Sequence, residues 1–188
     1  MNPRNVRVVD TSMLERNMRL IRESLPASVK IMAVVKADGY GHGATQAAAA
    51  ALRAGADMLA VASVQEGSAL RKEGSRAPIH VIGAVTEADV CEGAEQDLIQ
   101  TVCSPEMVFL CENAAANLQK QTEVHLKVDT GMGRIGIRNE TERDLIIEAL
   151  KKCPHVRLSG VFTHFSDADG DEEGINYTRQ QFERFLQI

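Results

Sequence analysis

Ile31-Met-Ala-Val-Val-Lys36-Ala-Asp-Gly-Tyr40-Gly-His-Gly43 is an apolar run that ends in a lysine and then in three alternating glycines. A run such as residues 31–35 reads as a strand buried on both faces, the kind found in parallel sheets. Lys36 then stands at the strand's carboxyl end, where ligands bind in parallel α/β folds. Gly39, Gly41 and Gly43 permit close backbone approach and positive φ, while Tyr40 and His42 offer a phenol and an imidazole to a polar ligand. As residues they fit a carbonyl-binding or phosphate-binding loop. A solvated lysine opening an ordinary βα loop fits the same pattern.

A length of 188 residues is enough for one domain with a real core, and a formal charge of -5 without a basic cluster argues against a broad nucleic-acid surface. The four cysteines (Cys91, Cys103, Cys111, Cys153) lack Cys-x-x-Cys spacing, and two lie in apolar surroundings where a thiol packs as a small hydrophobe. The amino terminus carries no apolar stretch suited to a signal peptide, and nowhere do about eighteen apolar residues run together. The expectation is a reduced, cytoplasmic chain that is neither secreted nor in a membrane.

Outward from the lysine loop, Ser12-Met-Leu-Glu15 has capping-box form, and Leu14, Met18, Ile21 and Leu25 recur at helical spacing until Pro26. Apolar runs at 31–35, 58–62, 79–82, 98–102, 124–128 and 156–163 predict six strands. Helical patterns fill the gaps at 44–53, 64–72, 86–95, 105–118 and 140–151, with a last helix opening near Tyr177. Six βα units with short connections predict a parallel α/β sheet, either an open doubly wound sheet or part of a barrel. A (β/α)8 barrel needs eight strands and ~250 residues, so residues 1–188 would supply about the first six βα units of one. Phe182, Phe185 and Leu186 form an apolar stripe with no following strand to pack near. A piece of a longer protein is expected, with open sheet edges prone to self-association.

Along the fifth strand His125, Lys127 and Asp129 fall on one face, because side chains alternate. That face is either a solvated edge or, in a barrel, inward-facing. By the same alternation Lys36 lies with Val34 and Met32, and His164 with Phe162 and Gly160. In a barrel, Lys36, Lys127 and His164 would converge at the carboxyl ends of strands one, five and six. Gly131-Met-Gly133-Arg134-Ile-Gly136 is a literal G-x-G-x-x-G, but it is not placed directly between strand and helix, and no acidic residue ends the following strand. A dinucleotide site is therefore rejected.

Three ordered segments carry a resemblance. Ala33-Val-Val-Lys36-Ala-Asp-Gly-Tyr40-Gly-His-Gly43 is similar to the pyridoxal-phosphate (PLP) attachment motif of alanine racemases. His125-Leu-Lys127-Val-Asp-Thr-Gly-Met-Gly-Arg134-Ile-Gly136 and Gly160-Val-Phe-Thr-His164-Phe-Ser-Asp-Ala-Asp169 resemble two further segments of the family. The resemblance implies a PLP-dependent isomerase that interconverts L-alanine and D-alanine, a peptidoglycan precursor, by two-base proton transfer. It implies that Lys36 forms a Schiff base with PLP and is the base on one face of the substrate. It further implies Tyr40 at the cofactor phosphate, a carbamylated Lys127, Arg134 at cofactor and substrate, and His164 bonded to an arginine facing the pyridine nitrogen; no metal is implied.

In the family the opposite-face tyrosine comes from the partner subunit's carboxyl-terminal β domain in a homodimer. That domain, the pyridine-facing arginine and the main phosphate loop have no counterpart in residues 1–188, so this chain is expected to bind PLP weakly and not to racemise alone. A barrel-type amino-acid decarboxylase shares the valine-lysine-alanine stretch but not the Tyr40-Gly-His-Gly43 continuation. A non-catalytic PLP-carrier barrel is the other alternative, favoured by length but not by the motifs.

Overall fold

The computed structural model describes residues 6–188. The chain divides after Ile82 into two compact units. In order, the first holds α1 (Thr11–Ser24), β1 (Met32–Val34), a turn α2 (Lys36–Tyr40), α3 (Ala44–Arg53), β2 (Met58–Val61), α4 (Val64–Lys72) and β3 (Ile79–Val81). The second holds α5 (Glu87–Glu95), β4 (Ile99–Val102), α6 (Pro105–Asn117), β5 (Thr122–Lys127), α7 (Glu140–Leu150), β6 (Val156–Phe162) and α8 (Glu172–Gln187). All six predicted strands are present, each followed by a helix or helical turn.

In the first unit β1, β2 and β3 pair in parallel in chain order, with Met32 opposite Met58 and Leu59 opposite Ile79. Leu59, Val61, Val64, Leu70, Ile79 and Val81 are buried to 2% or less and form its core. The reading of residues 31–35 as buried on both faces needs correction: Ala33 and Val35 are buried, but Val34 between them is 42% exposed. Only one face of β1 is packed, and the face that Lys36 shares with Met32 and Val34 is the open one.

The capping box expected at Ser12 is also displaced. Asp10 is the cap, accepting hydrogen bonds from the Ser12 N–H at 2.9 Å and the Ser12 hydroxyl at 2.6 Å. An ionised Asp10 side chain outcompetes a hydroxyl for the free N–H groups of the first turn. Glu15 instead pairs with Arg53 of α3 at 2.6 Å, tying α1 to the unit.

In the second unit β4, β5 and β6 pair in parallel. Val102, Val124, Leu126 and Val128 from the strands meet Val90, Val108, Cys111 and Ile146 from the helices in one buried cluster. Cys111 and Cys153 are buried free thiols, whereas Cys91 is exposed. The β5–β6 register slips between Val124 and His125, where a Cβ on Gly160 would come within 2.8 Å of the His125 ring.

The remaining predicted helices hold to within a residue or so, and their starts are fixed by side-chain caps: Ser63, Thr86, Ser104 and Asn139 each accept an N–H from the first turn. The last helix begins earlier than expected, at Glu172, because Asp171 caps it. Among the described residues no helix is long and apolar enough to cross a membrane.

Candidate active site

The first unit holds Lys36 and Tyr40. After β1 the chain turns with left-handed dihedrals: Ala37, Asp38 and Tyr40 have φ of 51°, 54° and 52°, and Gly39 and Gly41 have φ of 60° and 83°. From sequence, positive φ is expected at the glycines only. Left-handed conformations cost non-glycine residues roughly 1–2 kcal/mol each, so three in one turn mark a strained segment held by its surroundings.

Several bonds hold it. The Gly39 N–H donates to the Val35 carbonyl at 3.0 Å and the Gly43 N–H to the Asp38 carbonyl at 2.9 Å. The Asp38 carboxylate accepts the first free N–H of α3, at Ala44, at 2.9 Å. The Glu66 carboxylate, from α4, accepts the Ala37 N–H at 2.7 Å and the Ala62 N–H at 2.7 Å. The half-buried Lys36 amine lies 5.9 Å from the centre of the exposed Tyr40 ring, and among the described residues no carboxylate forms an ion pair with it.

The second unit holds Lys127, Arg134 and His164. Lys127 ends β5 with only 3% of its surface exposed, and its Nζ has no hydrogen-bond partner among the described residues. It sits 4.8 Å from the centre of the Phe162 ring. Burial, and then the Arg134 charge, lower its pKa from 10.5 to about 8, against the opposing pull of Asp129. Burial likewise lowers His125, against Glu123.

Asp129 organises the loop that follows. Its Oδ1 accepts the N–H groups of Gly131 at 3.1 Å and Gly133 at 2.9 Å, and its Oδ2 accepts that of Arg134 at 3.1 Å. Burial raises its pKa, but the Gly133 and Gly131 N–H groups, the Arg138 charge and the Arg134 N–H outweigh it and leave the carboxyl below its ordinary value. Gly136 is required, since a Cβ there would lie 2.5 Å from the Asp129 nitrogen. These glycines thus wrap a chain around a carboxylate, consistent with rejecting a dinucleotide loop.

Helix α8 grips the same loop, through residues that sequence reasoning missed. The fully buried Gln181 donates through Nε2 to Thr130 Oγ1 at 3.2 Å and to the His164 carbonyl at 3.1 Å, and its Oε1 accepts the Ser166 N–H at 2.9 Å. The Tyr177 hydroxyl donates to the Gly131 carbonyl at 2.9 Å, and Arg184 to the Thr130 carbonyl at 3.0 Å. The segments after β5 and β6 are thereby joined. The Arg134 and His164 side chains at their surface are exposed.

Comparison with known proteins is consistent with this arrangement. The family model "Alanine racemase, N-terminal domain" matches residues 9–188. The chain belongs to the alanine racemase family. It is 43% identical over 180 residues to alanine racemase 1 of Bacillus subtilis, covering 96% of this chain and 45% of that protein. The crystal structure of alanine racemase from Bacillus anthracis with bound L-Ala-P superposes with a TM-score of 0.88 at 38% identity, over 95% of this chain and 45% of that one. Histidine racemase from Leuconostoc mesenteroides subsp. sake gives a TM-score of 0.88 at 26% identity, over 95% and 47% of the two chains. The chain thus spans about half the length of the alanine racemases it matches. Its fold is that of the family's N-terminal domain, the first six βα units of a (β/α)8 barrel.

Proposed function

We propose that residues 1–188 form part of the PLP-binding barrel domain of a racemase whose substrate is alanine, the rest of the site lying in a carboxyl-terminal β domain and a partner subunit. The observation that carries this reading is Lys36: a half-buried amine at the carboxyl end of β1, with no ion pair among the described residues, on a strained turn that fixes its departure from the strand. Such an amine suits an aldehyde cofactor, and the Tyr40 phenol beside it suits a phosphate. Lys36 would hold PLP covalently with Tyr40 at its phosphate, and by resemblance to the family Arg134 and His164 are also cofactor-binding residues. When bound, PLP supplies an electron sink for the α-carbon of an amino acid.

The Lys36 Nζ is then the base that takes or returns the α-proton on one face. The opposite face requires a second acid or base. The chain has two tyrosines, Tyr40 and Tyr177. Tyr177 spends its hydroxyl on Gly131, and Tyr40 lies on the same turn as Lys36. By resemblance to the family the second group is a tyrosine of the partner subunit's carboxyl-terminal β domain, which neither of these matches, so this chain alone does not racemise.

Lys127 is proposed to be carbamylated. Its neutral amine attacks the carbon of CO2 and loses one proton, which leaves an anion in place of a buried cation. That anion would pair with the Arg134 guanidinium by charge-assisted hydrogen bonds, relieving an amine that has no hydrogen-bond partner among the described residues.

The test is an assay with L-alanine, L-serine, L-lysine and L-histidine, on this chain and on a protein extended to the length of its relatives. Turnover of alanine by the extended protein and none by this chain is expected. Turnover by this chain alone, or decarboxylation in place of racemisation, would overturn the proposal.

A further inference from the structure

Glu66 is the N3 residue of α4, whose cap is Ser63, and the Glu66 N–H bonds the Ser63 hydroxyl at 3.3 Å. In a capping box the N3 carboxylate returns to the N–H of the cap residue itself. Here it does not. One oxygen takes the N–H of Ala62, a residue earlier, and the other reaches across to Ala37, each at 2.7 Å.

Ala37 is the first left-handed residue of the strained turn, and its N–H belongs to the peptide that joins it to Lys36. A left-handed turn of ordinary residues persists only where its surroundings over-determine it. Among the described residues, the other bonds that hold this turn come from Val35, from within the turn, from the start of α3, or from Arg7 ahead of α1, whose ion pair with Asp38 is solvent-exposed on both sides. The bond to Glu66 comes instead from a different βα unit, on a helix anchored by the buried Val64, Gly67, Ser68 and Leu70. A carboxylate accepting two N–H groups holds both more firmly than a neutral acceptor does.

We propose that Glu66 is a positioning residue for Lys36: by clamping the Lys36–Ala37 peptide to the end of β2 it holds the left-handed turn and sets the direction in which the lysine side chain leaves β1. This rests on the reading of Lys36 as the site of cofactor attachment. Glu66 does not contact the reacting atoms. It acts through the backbone.

The test compares the unaltered protein with E66Q and S63A. Glu66→Gln keeps shape but leaves one acceptor where two N–H groups point. Ser63→Ala weakens the start of the same helix without touching the lysine turn. Two quantities are read: hydrogen exchange at the Ala37 amide, and the rate at which PLP and borohydride label Lys36, scored against Lys30. In labelling, the amine condenses with the aldehyde and loses water, and borohydride delivers hydride to the C=N carbon while solvent protonates the nitrogen.

In E66Q, exchange at Ala37 should rise about tenfold and Lys36 labelling should fall about tenfold, with Lys30 labelling and β2 amide protection unchanged. S63A should do neither. Unchanged exchange, faster exchange without loss of Lys36 labelling, or equal effects of S63A would each overturn the proposal. Should E66Q not fold, E66D, one methylene short, replaces it and is judged by the same outcomes. If the unaltered protein shows no Lys36 labelling, the cofactor reading itself fails, and exchange at Ala37 alone decides whether Glu66 holds the turn.

Discussion

Lys127 is the residue at which sequence, structure and chemistry make their narrowest claim. A cation with 3% exposure and no hydrogen-bond partner among the described residues is costly, and its pKa of about 8 expresses that cost. Below about pH 8 folded and unfolded chains both carry the proton, so the penalty is fully present. Between about 8 and 10.5 the folded chain releases the proton first, and stability rises with pH. In CO2-free buffer the stability of the protein relative to K127M should therefore climb across that window by on the order of 3 kcal/mol. Denaturant unfolding at a series of pH values measures it, and parallel curves for the two proteins would contradict it. Added 13C-bicarbonate should give a carbamate carbon signal that K127M lacks.

At the scale of elements, each unit has its own device: the left-handed turn after β1 in the first, and the grip of α8 on the loop after β5 in the second. Gln181 is central to the second, since one fully buried amide serves Thr130, His164 and Ser166 together. Replacing it with alanine strands these groups and should cost about 3 kcal/mol of stability. A loss below about 0.5 kcal/mol in thermal or denaturant unfolding would show that the amide is not the clasp described.

The elements differ in how far the sequence revealed them. The six strands were legible because parallel strands are short apolar runs, and most helix starts because Ser, Thr and Asn mark them. The α8 start was not, because its first half contacts the protein through Tyr177 and Thr178, polar residues that leave no apolar stripe. Positive φ at Ala37 and Asp38 was not legible either, since neither residue favours it and the bonds that impose it come from Asp38 and Glu66. Lys36, Lys127, Arg134 and His164 could be named from motifs and Asp129 from the polar face of the fifth strand, whereas the supporting roles of Glu66, Gln181 and Asp129 emerge from their hydrogen bonds.

For the whole molecule, the strand β6 is open on both faces, with Leu158 38% and Val161 49% exposed, and Phe182 and Leu186 lie exposed on α8. Unpaired strand edges and apolar surface of this kind promote association. Light scattering should show a mass that grows with concentration; the mass of a single chain throughout would contradict this. The central claim is that Lys36 is the amine to which PLP attaches. Incubation with PLP, reduction with borohydride and peptide mass mapping test it most directly: one pyridoxyl group is expected, on Lys36 and abolished in K36A, and labelling spread over surface lysines or centred on Lys127 would contradict it.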